Sequence, residues 1–151
     1  MLAASDLRGK SLLELEELWR ASEAGPRPLG TFRGEFLHWV DAPGARRLHV
    51  RALDTLGFRT VPFGIDFDRG RWWFGHPRLR VGHFTLSEGP SRWRNTLSQR
   101  LEYGVSRLPG AVKDQLYDEV KQLTGSLALG LGGLNAGAGE GDHFFFLLRR
   151  L

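Results

Sequence analysis

Val61-Pro62-Phe63-Gly64-Ile65-Asp66-Phe67-Asp68-Arg69-Gly70-Arg71-Trp72-Trp73-Phe74-Gly75-His76-Pro77 reads as two short strands and the turn between them. Val61 to Phe67 is one strand, Asp68-Arg69-Gly70 is the hairpin turn, and Arg71 to His76 is the next strand, stopped by Pro77. Neighbouring strand residues face opposite sides, so Trp72 and Phe74 share one face and Trp73 takes the other. The pattern continues downstream. Leu79 to Leu86 is a strand ended by Glu88-Gly89-Pro90, and Trp93 to Val105 is a longer one with Leu97, Leu101, Tyr103 and Val105 on one side. A short helical turn begins at Leu108-Pro109-Gly110-Ala111-Val112, and Leu116 to Leu123 alternates as a strand. Ser126 to Gly133 sets Leu127, Leu129 and Leu131 against Ala128, Gly130 and Gly132. One face of that strand has almost no side chain, which lets a backbone or a ligand come close. A Gly/Ala-rich loop over Asn135–Asp142 leads into the last strand, His143 to Leu151.

Upstream, Ser11-Leu12-Leu13-Glu14 is a capping box, with Leu12, Leu15, Leu18 and Trp19 at helical spacing and Gly25-Pro26 as the stop. Leu29 to Val40 reads as a strand, with Phe32, Gly34, Phe36 and His38 on one face and Thr31, Arg33, Glu35 and Leu37 on the other. Asp41-Ala42-Pro43-Gly44 is a turn, and Ala45 to Phe58 reads as a short helix stopped by Gly57, with a strand through Leu48–Leu53 as the alternative. Many short strands cut by Gly and Pro predict a mainly β fold: a small antiparallel β-barrel with an N-terminal helix and one or two short helices. The helix is expected across an opening or a face of the sheet. The alternative is an α+β cone, a strongly curved open sheet with helices packed into it. The 151 residues fit one domain over 1–151, with 1–10 as a flexible lead.

Composition removes several chemistries. There is no cysteine, hence no disulfide, thiolate zinc site, iron–sulfur cluster or cysteine nucleophile. The N-terminus lacks a signal-peptide pattern and no apolar run is long enough for a transmembrane segment, so the expected location is cytoplasmic. The net charge is +4, but the arginines lie singly or in pairs such as Arg46-Arg47 and Arg149-Arg150. Specific nucleic-acid binding calls for a cluster or stripe and is not expected.

Gly30-Thr31-Phe32-Arg33-Gly34 resembles the G-x-W-x-G motif of bacterial lipocalin-like (calycin-like) barrel domains, with Phe32 standing where the family has Trp. In calycins an arginine of the last strand packs over that motif, a place taken here by Arg149 and Arg150, and Val120 to Leu148 is similar to the family's final hairpin. The resemblance implies a barrel fold more than an activity. Gly30 to Glu35 is also similar to the opening strand of nitrobindin-type haem barrels, which implies haem as a cofactor with His143 as its ligand.

The barrel reading predicts non-catalytic binding of a small lipophilic or aromatic ligand, lined by Phe36, His38, Phe74, His76, Tyr103 and Phe145. An enzyme of the curved-sheet type is the further alternative, with an inward carboxylate base such as Asp66 or Asp118. Asp118 and Glu119 are adjacent on a strand and cannot act together. His38, His76 and His83 have no ligand-type spacing, so no metal site is predicted. The glycine runs at 130–133 and 137–141 lack the phosphate-loop pattern, and there is no G-x-S-x-G elbow. Arg33, Arg71, Arg80 and Arg100 lie on strands, where an inward guanidinium would bind a ligand carboxylate.

Overall fold

The structure is a computed structural model and describes residues 2–40, 59–91, 95–134 and 142–151. Its elements in chain order are helices α1 (Ala4–Arg8) and α2 (Leu12–Ala21), then strands β1 (Thr31–Val40), β2 (Phe63–Asp66), β3 (Arg71–Phe74), β4 (Arg80–His83), β5 (Thr85–Pro90) and β6 (Leu97–Glu102). A 3₁₀ turn (Tyr103–Val105), helix α3 (Gly110–Lys113) and strands β7 (Tyr117–Thr124), β8 (Leu127–Leu134) and β9 (Asp142–Arg150) complete the chain. The helix expected at Ala45–Phe58 lies outside the described residues, as does the loop at 135–141.

The fold is mainly β, as the strand-and-turn pattern predicts. The nine strands among the described residues form one antiparallel sheet in the order β4-β3-β2-β1-β9-β8-β7-β6-β5. Each strand is beside its sequence neighbour, except that β9 returns to β1 and no ladder joins β4 to β5 among the described residues. The two edge strands are nevertheless separated by Phe84 alone. The sheet therefore curls like a barrel but stays open along the β4/β5 seam, which corrects the expectation of full closure. The curl is visible in one bond. β3 and β6 are six steps apart, about 29 Å across a flat sheet at ~4.8 Å per strand. Yet Trp72 of β3 donates from Nε1 to Tyr103 Oη, just past β6, at 2.6 Å.

Alternation divides the side chains into two cores. The inner face gathers Phe32, Phe63, Ile65, Phe67, Trp72, Phe84, Leu101, Val120, Phe144, Phe146 and Leu148. The outer face of β7–β9 presents Leu127, Leu129, Leu131, Phe145 and Leu147 to the helices, which cover it with Leu7, Leu15 and Trp19. The capping box is present: Ser11 Oγ accepts from the Glu14 N–H, and Glu14 accepts from the Ser11 N–H at 2.8 Å. Within the lead expected at 1–10, two residues make defined contacts. Leu7 is fully buried, and Arg8 makes a bidentate pair with Glu35 at 2.8 and 2.9 Å.

Lys121 joins the layers. Its alternating position on β7 points it toward α2, where it is fully buried. The ammonium donates to the carbonyls of Trp19 (2.7 Å) and Ser22 (2.5 Å) and to Thr96 Oγ1 (2.7 Å). A helix C-terminus leaves carbonyls unpaired and carries partial negative charge, so a cation there answers both needs.

The side-chain-poor face of β8 is filled by its neighbours. A Cβ on Gly130 would stand 2.1 Å from the Phe146 ring, and one on Gly132 2.0 Å from Asp118 Oδ1. Gly130→Ala is therefore expected to lose about 2–3 kcal/mol through overpacking. Gly125→Ala, where a Cβ meets open space, should change stability by less than about 0.5 kcal/mol. Urea unfolding of both variants checks the contrast.

Two strand assignments need correction. Leu79–Leu86 is two strands, because Gly82 at φ +60° bends the chain and Phe84 turns it from one sheet edge to the other. The long strand expected at Trp93–Val105 ends at Glu102, and the 3₁₀ turn buries Tyr103 while leaving Val105 half exposed.

Candidate functional site

The inner face holds a cavity of about 220 Å³ near the open seam. Trp72 and Phe74 of β3 form one wall, Val81 and Gly82 of β4 the edge, and Phe144 and Gly133 the opposite wall. Leu108, Val112 and Leu116, on and beside α3, complete it, with Tyr103 and Asp118 as the lining residues whose side chains are polar apart from the Trp72 indole. Each comes from local sequence logic. Alternation on β3 turns Trp72 and Phe74 inward and leaves Trp73 outward over Gly64, with its Nε1 donating to the Phe32 carbonyl at 3.1 Å. Alternation on β7 turns Asp118 inward, and its register partner is Gly132, whose missing side chain gives the carboxyl room.

These groups form one chain of hydrogen bonds. Trp72 Nε1 donates to Tyr103 Oη, and the Tyr103 hydroxyl donates to Asp118 Oδ2 in a very short bond. Burial pushes the Asp118 carboxyl up to about 8, helped by the nearby charge of Glu119 and opposed by the Tyr103 hydrogen bond. Burial, with the adjacent Asp118, also holds the Tyr103 phenol well above its usual value. Asp118 is thus a neutral acid at pH 7, with Tyr103 oriented toward it by Trp72. A neutral carboxyl in an apolar wall can donate one hydrogen bond to a ligand oxygen or exchange a proton with a bound molecule. A second cavity of about 340 Å³, lined by Arg100, Glu102, Lys113 and Asp114, meets Tyr103, Leu116 and Asp118 from another side.

Of the residues expected to line the interior, Phe74 and Tyr103 do so. Phe36 is half-buried on the inner face, stacked on Phe144 at 5.6 Å, but away from this cavity. His38 is exposed, because the β1–β9 register shifts between Phe36 and His38. That bulge ends the simple alternation of β1. His76 is also exposed; it lies in the turn after β3 and accepts from the Arg78 N–H at 3.2 Å. Phe145 is buried on the opposite face, edge-on to Trp19 at 6.0 Å, because β9 sends its odd and even residues to different cores. Asp66 is fully buried yet faces outward, where Arg69 (3.2 Å) and Arg80 (3.0 Å) neutralise it. Of the two carboxylates considered, only Asp118 reaches the interior. Arg33, Arg71 and Arg80 are exposed and Arg100 pairs with Glu102 at 3.0 Å, so none of the four strand arginines lines the apolar cavity. The backbone of His143 pairs with Val40, while its side chain lies outside the described residues. No group of three metal-ligating side chains occurs among the described residues.

Sequence reasoning missed Trp72 as part of a polar chain and Lys121 as a buried cation. The signal for Asp118 was present: an acid on the same parity as Val120, opposite a strand whose facing residues are Gly and Ala.

No protein-family model matches the chain, and no curated protein does. Among solved structures, a protein from Thermomonospora curvata is similar, with 21% identity over 94% of this chain and 88% of that one and a TM-score of 0.55. That likeness is one of fold. No helix among the described residues is long and apolar enough to cross a membrane.

Proposed function

We propose that the inner cavity binds a small lipophilic or aromatic molecule carrying one hydrogen-bond acceptor, which Asp118 engages as a neutral acid. The observation that carries this reading is an apolar cavity with the buried Asp118 carboxyl in its wall, hydrogen-bonded by Tyr103; burial pushes that carboxyl up toward the neutral form. Apolar walls supply the driving force, and one well-placed polar group sets orientation. A dry cavity of ~150 Å³ accepts benzene, so about 220 Å³ suits a substituted single ring. The calycin-like reading of Gly30–Gly34 fits the same picture. Gly30 adopts φ +93°, and the Arg150 guanidinium lies 3.1 Å from where its Cβ would stand.

The test is titration of 4-fluoroacetophenone followed by ¹⁹F and ¹⁵N NMR. Saturable binding is expected, with shifts confined to Trp72 Nε1–H and the amides of Tyr103, Leu116 and Asp118. Val112→Trp, at the exposed rim of the cavity, should abolish it. A linear response, or equal binding by that variant, contradicts the proposal. Native mass spectrometry of the purified protein then asks whether a ligand is retained.

A second reading, favoured by the carboxyl poised near neutral pH, is acid–base catalysis by Asp118. In it the ionised fraction of Asp118 takes a proton from the methyl group of the bound ketone and returns a solvent deuteron, so exchange is expected to rise as pH approaches 8 and to be lost in Asp118→Asn. Binding without exchange leaves the non-catalytic reading.

A further inference from the structure

The ladder between β1 and β2 ends at Gly34 and Phe63. Beyond it, β1, β9 and residues 59–62 border an open gap of about 750 Å³, separate from the apolar cavity. Four guanidiniums line it: Arg8, Arg33, Arg59 and Arg149. Among the described lining residues Glu35 is the single acid, and Arg8 already holds both of its oxygens. That leaves Arg33, Arg59 and Arg149. Arg33 and Arg149 are directly opposite each other in the β1–β9 register, and neither makes an ion pair among the described residues. Like charges in facing strand positions repel. Arg59 rests on the Phe36 ring at 4.7 Å, which fixes its guanidinium without neutralising it. Arg33 and Arg149 also feel the charge of Glu35, but one acid that Arg8 already holds cannot balance four guanidiniums, and the gap keeps an excess of positive charge.

We propose that this gap is a binding site for a small organic anion of two or more charges, such as a phosphorylated or polycarboxylate molecule. Guanidinium groups meet phosphate and carboxylate oxygens in pairs of parallel hydrogen bonds. The volume is that of a small-molecule site, and the cations line one gap rather than forming the stripe that a polynucleotide needs. Phe36, Pro62 and Leu147 give an attached apolar portion something to lie against.

Inorganic pyrophosphate and citrate are the probes, titrated at constant ionic strength and read by the Arg Nε–Hε signals of the full chain. The expected result is saturable movement of the Arg33, Arg59 and Arg149 signals at sub-millimolar to millimolar probe. Arg33→Gln and Arg149→Gln, made separately, should each weaken binding at least tenfold and leave the probe-free melting temperature equal or higher. The variant Val112→Trp, at the other cavity, should bind these probes as the unaltered chain does. Movement reproduced by sodium chloride at the same ionic strength overturns the proposal, as does no saturation up to tens of millimolar. A single-stranded oligonucleotide that binds more tightly than either probe, with a steep salt dependence, also overturns it in favour of a polyanion surface.

Discussion

The unfolding free energy of the Asp118→Asn variant is expected to rise relative to that of the unaltered chain, by several kcal/mol, between pH 4.5 and pH 8.5. The sign follows from proton linkage. Asp118 titrates near 8 in the folded protein and near 3.8 when unfolded. The folded state therefore holds a proton through this window that the unfolded state has released. Its contribution to stability is full below about pH 4 and is lost as pH rises to 8. At 1.36 kcal/mol per unit the loss is at most about 6 kcal/mol. Asparagine keeps the shape, accepts from Tyr103 and does not titrate. The two chains should be similar at pH 4.5 and diverge steadily above it in urea unfolding. A difference that stays flat with pH means that Asp118 ionises normally. Lys121 acts in the opposite sense, because burial lowers it to about 8. The unfolded chain then binds the extra proton, so this contribution returns between pH 8 and about 10.5.

Removing the cation under α2 is the second large effect. Lys121→Met keeps most of the stem volume but leaves the carbonyls of Trp19 and Ser22 and the hydroxyl of Thr96 without their donor. Stranding buried acceptors costs about 1–3 kcal/mol each, partly offset because an ammonium no longer has to be desolvated. A net loss of about 2–3 kcal/mol is expected, and more for Lys121→Ala, which adds a cavity. The loss should be local before it is global. Amide exchange over Leu15–Ala21 should quicken, while the β1–β9 ladder stays protected to the level set by global unfolding. Equal acceleration in both places would deny Lys121 the role of fastening the helix layer to the sheet.

These two residues also mark where the sequence could be read and where it could not. Turn residues around Asp68-Arg69-Gly70 and the Leu/Gly alternation of Leu127–Gly133 are local signals, and they place strands and faces correctly. The Ser11–Glu14 box is equally local, and it is formed as written. Phe144 to Leu148 is apolar throughout because both faces of β9 are covered, so period alone could not say that Phe144 and Phe146 face inward while Phe145 faces α2. Parity along β1 sends His38 inward, and one bulge turns it out to solvent. Tyr103 was expected to lie inward along a strand; it reaches the interior through a 3₁₀ turn. Lys121 looks like a residue of a solvated face, and only the position of the α2 C-terminus makes its burial intelligible. Asp66 and Asp118 are each flanked by apolar strand residues, yet arginines delivered by the neighbouring turn and strand neutralise one while the apolar cavity protonates the other.

The most direct measurement is a ¹³C titration of the Asp118 carboxyl carbon, repeated in the presence of saturating 4-fluoroacetophenone. A midpoint near pH 8 that moves when the ketone binds is the predicted result. A midpoint near 4 that the ketone leaves unchanged would contradict a neutral acid serving a ligand in the inner cavity.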